Sequence, residues 1–297
     1  MNGPDAFLKC LLDPDSAEAL HCARVVQDFL GEKDPYECAL RLKESSFLLL
    51  DNPELQTLKP LFGLRKLKRL AVRSNSLQDI SACETLSGLE ELSIQAVFEG
   101  VLESIAPLRG LPLLKKLTIT YNRIEDISPL SSVVSLSYLD LSHEPIRNFE
   151  PLRNLRNLET LILDGASLSS LLQLPPLLAL TSLRFWGCNV KTLEGIEQWP
   201  NLRELNAGSN EIEDVRGIES AKRLVSVNLP MNKISDIAPL ARLAEVYEIG
   251  LGGNPVITIA PLAYLPRLKT LRVSVATLGE TEEQRLFRGV KIIRSES

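Results

Sequence analysis

Leucine and isoleucine recur along the chain with a fixed spacing that is clearest in residues 114–130. With Leu117 as the zero position, apolar residues stand at −3, +2, +7, +10 and +13, and asparagine stands at +5. The template returns at eleven zero positions, 22 residues apart at every step except one of 25: Leu48, Leu70, Leu92, Leu117, Leu139, Leu161, Leu183, Leu205, Val227, Ile249 and Leu271. This period predicts a repeat solenoid, in which each repeat buries its apolar side chains against its neighbours.

Each repeat contains one strand signal and one short return segment. Leucine at positions 0 and +2 predicts a strand whose residues at −1, +1 and +3 point outward. The apolar residues at +7, +10, +13 and +16 return along the opposite wall, and prolines at +12 favour turns and 3₁₀ segments there: Pro60, Pro129, Pro151, Pro239 and Pro261. Because the outward residues are mostly polar, we expect a parallel sheet with one open, concave face, about 50 Å long.

Residues 1–45 do not follow the template and are predicted to form a helical N-terminal cap over the apolar end of the first repeat. Apolar residues between 15 and 30 fall on one helical face, and Gly31 stands where the helix should stop. Asp34 and Pro35 then resemble the N-cap and first turn of a further helix.

The repeats are predicted to span residues 46–278, as one continuous domain. Residues 279–297 are predicted to form a C-terminal cap and tail, with a short charged helix over 280–288 and a final strand over 290–293.

Asparagine at +5 is predicted to form a buried ladder, because its side chain can satisfy both the N–H and the C=O groups of the inward turn that follows each strand. The ladder residues are Asn75, Asn122, Asn210, Asn232 and Asn254. It is interrupted in three successive repeats by Glu144, Ala166 and Cys188.

The template L-x-x-L-x-L-x-x-N-x-I-x-D-I-x-P-L resembles the leucine-rich repeat superfamily, in the class with 22-residue repeats that includes a protein phosphatase 1 regulatory subunit and the bacterial internalins. The resemblance covers about residues 46–278. It implies an α/β solenoid, a right-handed superhelix that binds proteins through its concave face. The repeat of 25 residues and the interrupted ladder depart from the class pattern.

Composition narrows the function classes. The chain has 297 residues, of which 44% are hydrophobic and 5% aromatic, and its formal net charge is −5. No basic stripe of the kind that binds nucleic acid is present, and no run of about 18 apolar residues predicts a membrane span. Five cysteines without a Cys-x-x-Cys pair favour free thiols in a reducing compartment. We expect a cytoplasmic, monomeric protein that binds neither nucleic acid nor membranes.

No cofactor, metal site or catalytic residue is predicted. The chain has two histidines, and neither lies in a catalytic motif. Cys10, His21, Cys22 and Cys38 share the cap, but their spacing fits no common zinc site. The glycines at 250, 252 and 253 are interpreted as a strand with small outward residues where something approaches closely, rather than as a phosphate loop.

The outward positions of the middle repeats combine aromatic, arginine and acidic residues, the composition of protein-binding hot spots. The predicted partner-binding residues are Tyr121, Tyr138, Asp140, His143, Ile162, Asp164, Arg184, Trp186, Glu204 and Asn206. Among them, Trp186 and Tyr138 are predicted to be apolar anchors. Trp199 stands in an inward leucine position and is predicted to be core.

These patterns predict a non-enzymatic scaffold that binds a partner protein on its concave face. Two alternatives stay open: regulation of an enzyme such as a phosphatase by the same face, and recognition of a small molecule or glycan in the central patch.

Overall fold

The computed structural model describes residues 3–12, 16–274 and 285–294. The chain divides into two compact units, Met1–Asn157 and Leu158–Ser297. The division falls within the repeats rather than between a cap and the repeats. The three-part organisation predicted from the sequence stays a prediction.

The first unit begins with three helices, α1 (Gly3–Leu12), α2 (Ala17–Leu30) and α3 (Pro35–Glu44). The hydroxyl of Ser16 caps α2 by accepting the Ala19 N–H at 3.1 Å, and Gly31 ends the helix with a φ of 65°. The Asp34 carboxylate caps α3 by accepting the N–H groups of residues 36 and 37. The predicted start of α3 and the predicted end of α2 are both confirmed.

Five parallel strands follow: β1 (Phe47–Asp51), β2 (Arg69–Arg73), β3 (Glu91–Gln95), β4 (Lys116–Thr120) and β5 (Tyr138–Asp140). Neighbouring strands pair zero position to zero position, as Leu92 does with Leu117 and Leu117 with Leu139. Leu117 and Ile119 are 0% exposed. The predicted inward placement of positions 0 and +2 is therefore confirmed.

The described residues of the second unit form seven parallel strands: β6 (Thr160–Ile162), β7 (Ser182–Arg184), β8 (Glu204–Asn206), β9 (Ser226–Asn228), β10 (Glu248–Gly250), β11 (Thr270–Val273) and β12 (Lys291–Arg294). β12 pairs with β11 and confirms the strand predicted at the C-terminal end. Phe287 packs inward before it and is buried. Most of the helix predicted over 280–288 lies outside the described residues.

The return segments are short 3₁₀ turns in both units, for example Ser128–Ser132 and Ala238–Arg242, each with proline in its first turn. Trp199 lies in the core of the second unit, as predicted. Its indole is 0% exposed, and its Nε1–H donates to the Pro175 carbonyl at 3.3 Å. In the part of the chain that the structure describes, no helix is long and apolar enough to cross a membrane.

The asparagine ladder is confirmed in the second unit and is clearest at Asn232. Its amide donates to the carbonyls of Ala207, Leu229 and Pro230 at 2.9 to 3.1 Å, and its Oδ1 accepts the Ile212 N–H at 3.0 Å. One side chain therefore satisfies four backbone groups near the end of β9.

The ladder prediction is wrong at Asn75. That side chain is only half-buried, and its Oδ1 accepts the N–H of Val97 in the next repeat at 2.8 Å. The buried position belongs to Ser74, whose hydroxyl lies 3.1 Å from the Pro53 carbonyl and 2.7 Å from the Leu55 carbonyl. The Ser74 hydroxyl, one residue before Asn75, bonds to the inward turn in place of an asparagine amide. The Asn75 side chain therefore faces outward.

Candidate partner-binding site

The predicted partner-binding residues fall in both units, and each group is described by itself. The first unit holds Tyr121, Tyr138, Asp140 and His143. The second unit holds Ile162, Asp164, Arg184, Trp186, Glu204 and Asn206, which we call the sheet-face patch. The sequence alone predicted a single surface that combined the two groups.

Trp186 is the aromatic centre of the sheet-face patch. Its indole lies flat over Gly208, the residue at the same position of the next repeat. A Cβ on Gly208 would stand only 2.3 Å from the indole Cζ3. Gly208 is buried beneath this ring, while Trp186 itself stays half-buried. The missing side chain at 208 thus creates the seat in which the indole is held.

Asp164 holds the backbone of Trp186. Its Oδ1 accepts the Trp186 N–H at 2.8 Å, and its Oδ2 pairs with the Arg184 guanidinium at 2.5 Å. Asp164 is only 9% exposed, whereas Arg184 is exposed. The carboxylate therefore supports Trp186 and Arg184.

A polar groove of about 280 Å³ continues from Arg184 along the exposed faces of β7–β11. In it the Ser182 hydroxyl donates to Glu204 Oε2 at 3.2 Å, and the Asn228 amide donates to Asn206 Oδ1 at 3.4 Å. Four further lining residues were missed by sequence reasoning, although they occupy positions −1 and +1 of later repeats: Ser226, Asn228, Glu248 and Arg272.

The glycine at position 250 accommodates the side chain of a neighbouring repeat. A Cβ on Gly250 would stand 2.1 Å from the Oδ1 of Asn228. The prediction that something approaches this strand closely is confirmed, and the approaching group belongs to this chain. Gly208 and Gly250 serve the same purpose, because each gives room to a larger side chain in the repeat before it.

In the first unit, Tyr138 lies at one end of a depression of about 370 Å³ that also includes Phe47, Arg69, Glu91 and Lys116. Lys116 pairs with Glu91 at 3.6 Å, and the Arg69 guanidinium lies 5.4 Å from the centre of the Phe47 ring. The charged side chains of this depression are therefore already paired within the chain, Lys116 with Glu91 and Arg69 with the Phe47 ring. Sequence reasoning missed this depression, whose lining includes the small side chains Ala71, Ser93 and Thr118.

Tyr121 and His143 lie at the ends of their strands, at position +4. Their rings stack with centroids 4.1 Å apart and an angle of 15° between the planes. Asp140 lies nearby in sequence but turns back on its own strand end, where its Oδ1 accepts the N–H and O–H of Ser142 at 3.0 and 2.6 Å. The structure thus brings Tyr121 and His143 together.

At Cys188, where the ladder lacks asparagine, a thiol makes one of the ladder's hydrogen bonds. The Cys188 thiol donates to the Leu163 carbonyl at 3.2 Å, the group 25 residues earlier in the chain. Asn210 makes the equivalent bond to Phe185. Burial raises the pKa of Cys188 to about 11, so the thiol keeps the hydrogen that it donates.

Glu144 replaces the asparagine in the first unit and is 1% exposed. Its two carboxylate oxygens accept the N–H groups of Asn122 and Ile124, each at 2.8 Å. Burial raises the pKa of Glu144 to about 7, against the opposing effect of these two N–H donors. The core of the first unit therefore holds a carboxyl group whose pKa lies near neutral pH.

The comparisons with known proteins agree with this architecture. Residues 112–154 match a family model described as two copies of leucine-rich repeats. The structure of an internalin, InlF of Listeria monocytogenes, is similar over 98% of both chains, with 19% identity and a TM-score of 0.63. Residues 112–154 therefore contain leucine-rich repeats, and the described chain shares the fold of the internalin.

Two further solved structures are similar at low identity. A leucine-rich repeat protein of Leptospira interrogans has a TM-score of 0.61 at 20% identity, over 90% of this chain and 82% of its own. The plant peptide hormone receptor RGFR1, solved with RGF2, has a TM-score of 0.63 at 21% identity, over 85% of this chain and 45% of its own. These likenesses concern the fold. No curated protein sequence matches the chain.

Leucine-rich repeat proteins are generally interaction modules, because their stacked strands offer long binding surfaces. In this chain, all five cysteines are buried. Among the residues that the structure describes, no group of three or more histidine, cysteine, aspartate or glutamate side chains could hold a metal ion.

Proposed function

We propose that this protein is a non-enzymatic interaction module that binds a partner protein through the sheet-face patch of the second unit. The observation that carries the proposal is Trp186, a large aromatic side chain held in a fixed position on the exposed face of a sheet. Buried contacts to Gly208 and Asp164 hold it there before any partner arrives. A preorganised anchor loses little side-chain entropy on binding.

The residues around Trp186 suit a protein partner. Arg184 is exposed and oriented by its ion pair with Asp164, and tryptophan and arginine dominate protein-binding hot spots. The groove beyond them offers hydroxyl, amide and carboxylate groups, the kind of polar rim that fixes the orientation of a partner. We also propose, as the sequence predicts, that the protein works as a cytoplasmic monomer.

Replacing the anchor tests this proposal. Partners are first captured with the wild-type chain and identified by mass spectrometry, and the affinity of the purified partner is then measured by calorimetry. We expect Trp186→Ala to weaken binding at least about thirtyfold, because truncating a central aromatic anchor typically costs 2 kcal/mol or more. The unfolding midpoint should not fall.

Tyr264→Ala is the matched control, since Tyr264 is a highly exposed aromatic residue on a 3₁₀ return segment. It should leave the affinity unchanged. Loss of binding with Tyr264→Ala but not with Trp186→Ala would place the interface on the return segments and contradict the proposal.

A second variant tests whether binding depends on where the Trp186 indole is held, and not only on whether it is present. Gly208→Ala places a methyl group in the space that the Trp186 ring occupies, so the ring must move. We expect affinity to fall by about tenfold, roughly 1.4 kcal/mol, although Trp186 is retained. Unchanged affinity would mean that the seated position of the ring is not the one that binds.

Recognition of a glycan or other small polar ligand is the second candidate, favoured by the hydroxyl, amide and carboxylate groups of the groove. Thermal unfolding in the presence of a glycan panel distinguishes the two. A ligand-dependent rise in the unfolding temperature that Asn206→Ala abolishes would select the second candidate.

A further inference from the structure

One repeat of the first unit has 25 residues, three more than the others. The extra length lies in residues 97–101, which we call the protrusion. Buried Leu102 resumes the repeat after them, and its carbonyl accepts the Arg123 N–H at 2.9 Å, as Val190 does for Glu211 in a regular repeat. The extra length is therefore confined to the segment before Leu102. It leaves Val97 and Phe98 exposed by 61% and 75%.

The protrusion is hydrogen-bonded to the backbone of Tyr121, whose ring stacks on His143. The Gly100 N–H donates to the Tyr121 carbonyl at 2.7 Å. Both Tyr121 and His143 have a φ of 60°, a left-handed conformation that costs free energy for any residue with a side chain. Gly165 and Gly187 hold the same turn in other repeats. Ser209 and Met231 hold the turn with side chains as well, so what distinguishes Tyr121 and His143 is that both side chains are rings in contact.

A buried acceptor lies directly behind the protrusion. Asn122 is 7% exposed, and its Oδ1 has no hydrogen-bond partner among the described residues. It points toward Gly100, where a Cβ would stand 2.3 Å from it. Regular ladder asparagines accept an N–H with this atom, as Asn232 does from Ile212. The protrusion therefore leaves an acceptor without a donor.

The charges around the protrusion are mainly acidic. Glu99, Glu103 and Glu125 are exposed, and none of them forms an ion pair within the described ranges, which omit 1–2, 13–15, 275–284 and 295–297. Arg123 is the base among them. A surface that offers aromatic faces and carboxylates complements a group that carries positive charge and donates hydrogen bonds.

We propose that Val97, Phe98, Tyr121 and His143, which we call the tyrosine edge, form a second binding site that receives an arginine or lysine side chain flanked by apolar residues of a partner protein. The cation would lie against the ring stack and near the glutamates, while the apolar neighbours cover Val97 and Phe98. The acidic surroundings disfavour phosphate groups and a second copy of the same surface. The site does not depend on the sheet-face patch.

The test uses the full ¹⁵N-labelled chain and two probe peptides, acetyl-Leu-Arg-Leu-Arg-Leu-amide and its counterpart with glutamate in place of arginine. We expect the arginine peptide to shift the backbone amide resonances of residues 97–101, 121–124 and 143. The shifts should saturate with a Kd of about 1 mM or tighter and weaken with added salt. The glutamate peptide should cause none of these shifts.

Tyr121→Gly removes one ring from a turn that glycine already holds at Gly165 and Gly187. The unfolding midpoint should stay or rise, while the arginine peptide binds at least about tenfold more weakly. Met231→Gly is the matched control, because Met231 is also exposed and left-handed, with a φ of 54°, but lies in the second unit. It should leave the Kd unchanged.

Three outcomes would overturn the proposal. Equal shifts with the arginine and glutamate peptides would show that charge plays no part. Shifts confined to residues 184–208 would place the peptide on the sheet-face patch. Dimerisation in sedimentation experiments that Phe98→Ser abolishes would show that the tyrosine edge binds a second copy of this chain.

Discussion

Glu144→Gln should make the protein about 3 kcal/mol more stable at pH 8 and leave its stability at pH 5 nearly unchanged. The pKa of Glu144 is about 7 in the folded protein and 4.5 as its ordinary value. As pH rises from 4.5 to 7, the unfolded chain releases this proton while the folded chain retains it. The wild type therefore loses stability over that interval, by up to about 1.4 kcal/mol for each unit of pKa difference, and loses no more above it.

The expected gain also has a geometric reason. Asn232 gives amide hydrogens to three carbonyls, and the corresponding groups around Glu144 belong to Ile119, Leu141 and Ser142. A carboxylate has no hydrogen to give them, and a protonated carboxyl has one. Glutamine supplies two at every pH and keeps one oxygen, which can accept one of the two N–H groups that Glu144 binds.

Urea unfolding at pH 5, 6, 7 and 8 measures the effect, with Glu103→Gln as the control because Glu103 is exposed. The difference in free energy of unfolding between Glu144→Gln and wild type should grow with pH, whereas Glu103→Gln should follow the wild type. Parallel curves for all three proteins would show that Glu144 is ionised in the folded state throughout this range.

Asn232→Ala should lower the free energy of unfolding by about 3 kcal/mol. The substitution leaves the buried Ile212 N–H without its acceptor. It also removes one of two hydrogen bonds at three carbonyls, which keep the donors Asn210, Asn254 and Ser209. A buried N–H left unpaired costs about 1 to 3 kcal/mol, and the lost bonds to the carbonyls add to that cost. Chemical denaturation monitored by circular dichroism measures the loss.

Asn75→Ala is the matched control. Asn75 has the same sequence position in its repeat, but it is half-buried and accepts only the Val97 N–H. We expect this change to cost less than about 1 kcal/mol, because water can replace an exposed bond. Equal losses for the two variants would mean that sequence position rather than burial sets the contribution of these asparagines.

The two proposed sites depend on different features of the repeat architecture. The sheet-face patch depends on side chains held across neighbouring strands, as Trp186 is over Gly208. The tyrosine edge depends on a departure from the repeat, the extra residues that expose Phe98. A variant at one site should therefore leave the other intact, which makes the two proposals separately testable.

The sequence by itself determined the repeats, the strands, their in-register pairing and the inward residues. These features follow from local spacing, since a period of two places Leu117 and Ile119 on one side of a strand and a period of 22 aligns one strand with the next. The position of Trp199 in the core followed for the same reason.

The tertiary structure decided what each irregular residue does. Position +5 predicted burial equally for Asn75 and Asn232, but only packing shows that Ser74 occupies the buried place in one repeat. The seat of Trp186 and the raised pKa of Glu144 likewise depend on atoms about 20 residues away in the chain. Burial and hydrogen bonding between neighbouring repeats set these properties, and a one-dimensional pattern does not contain the distances on which they depend.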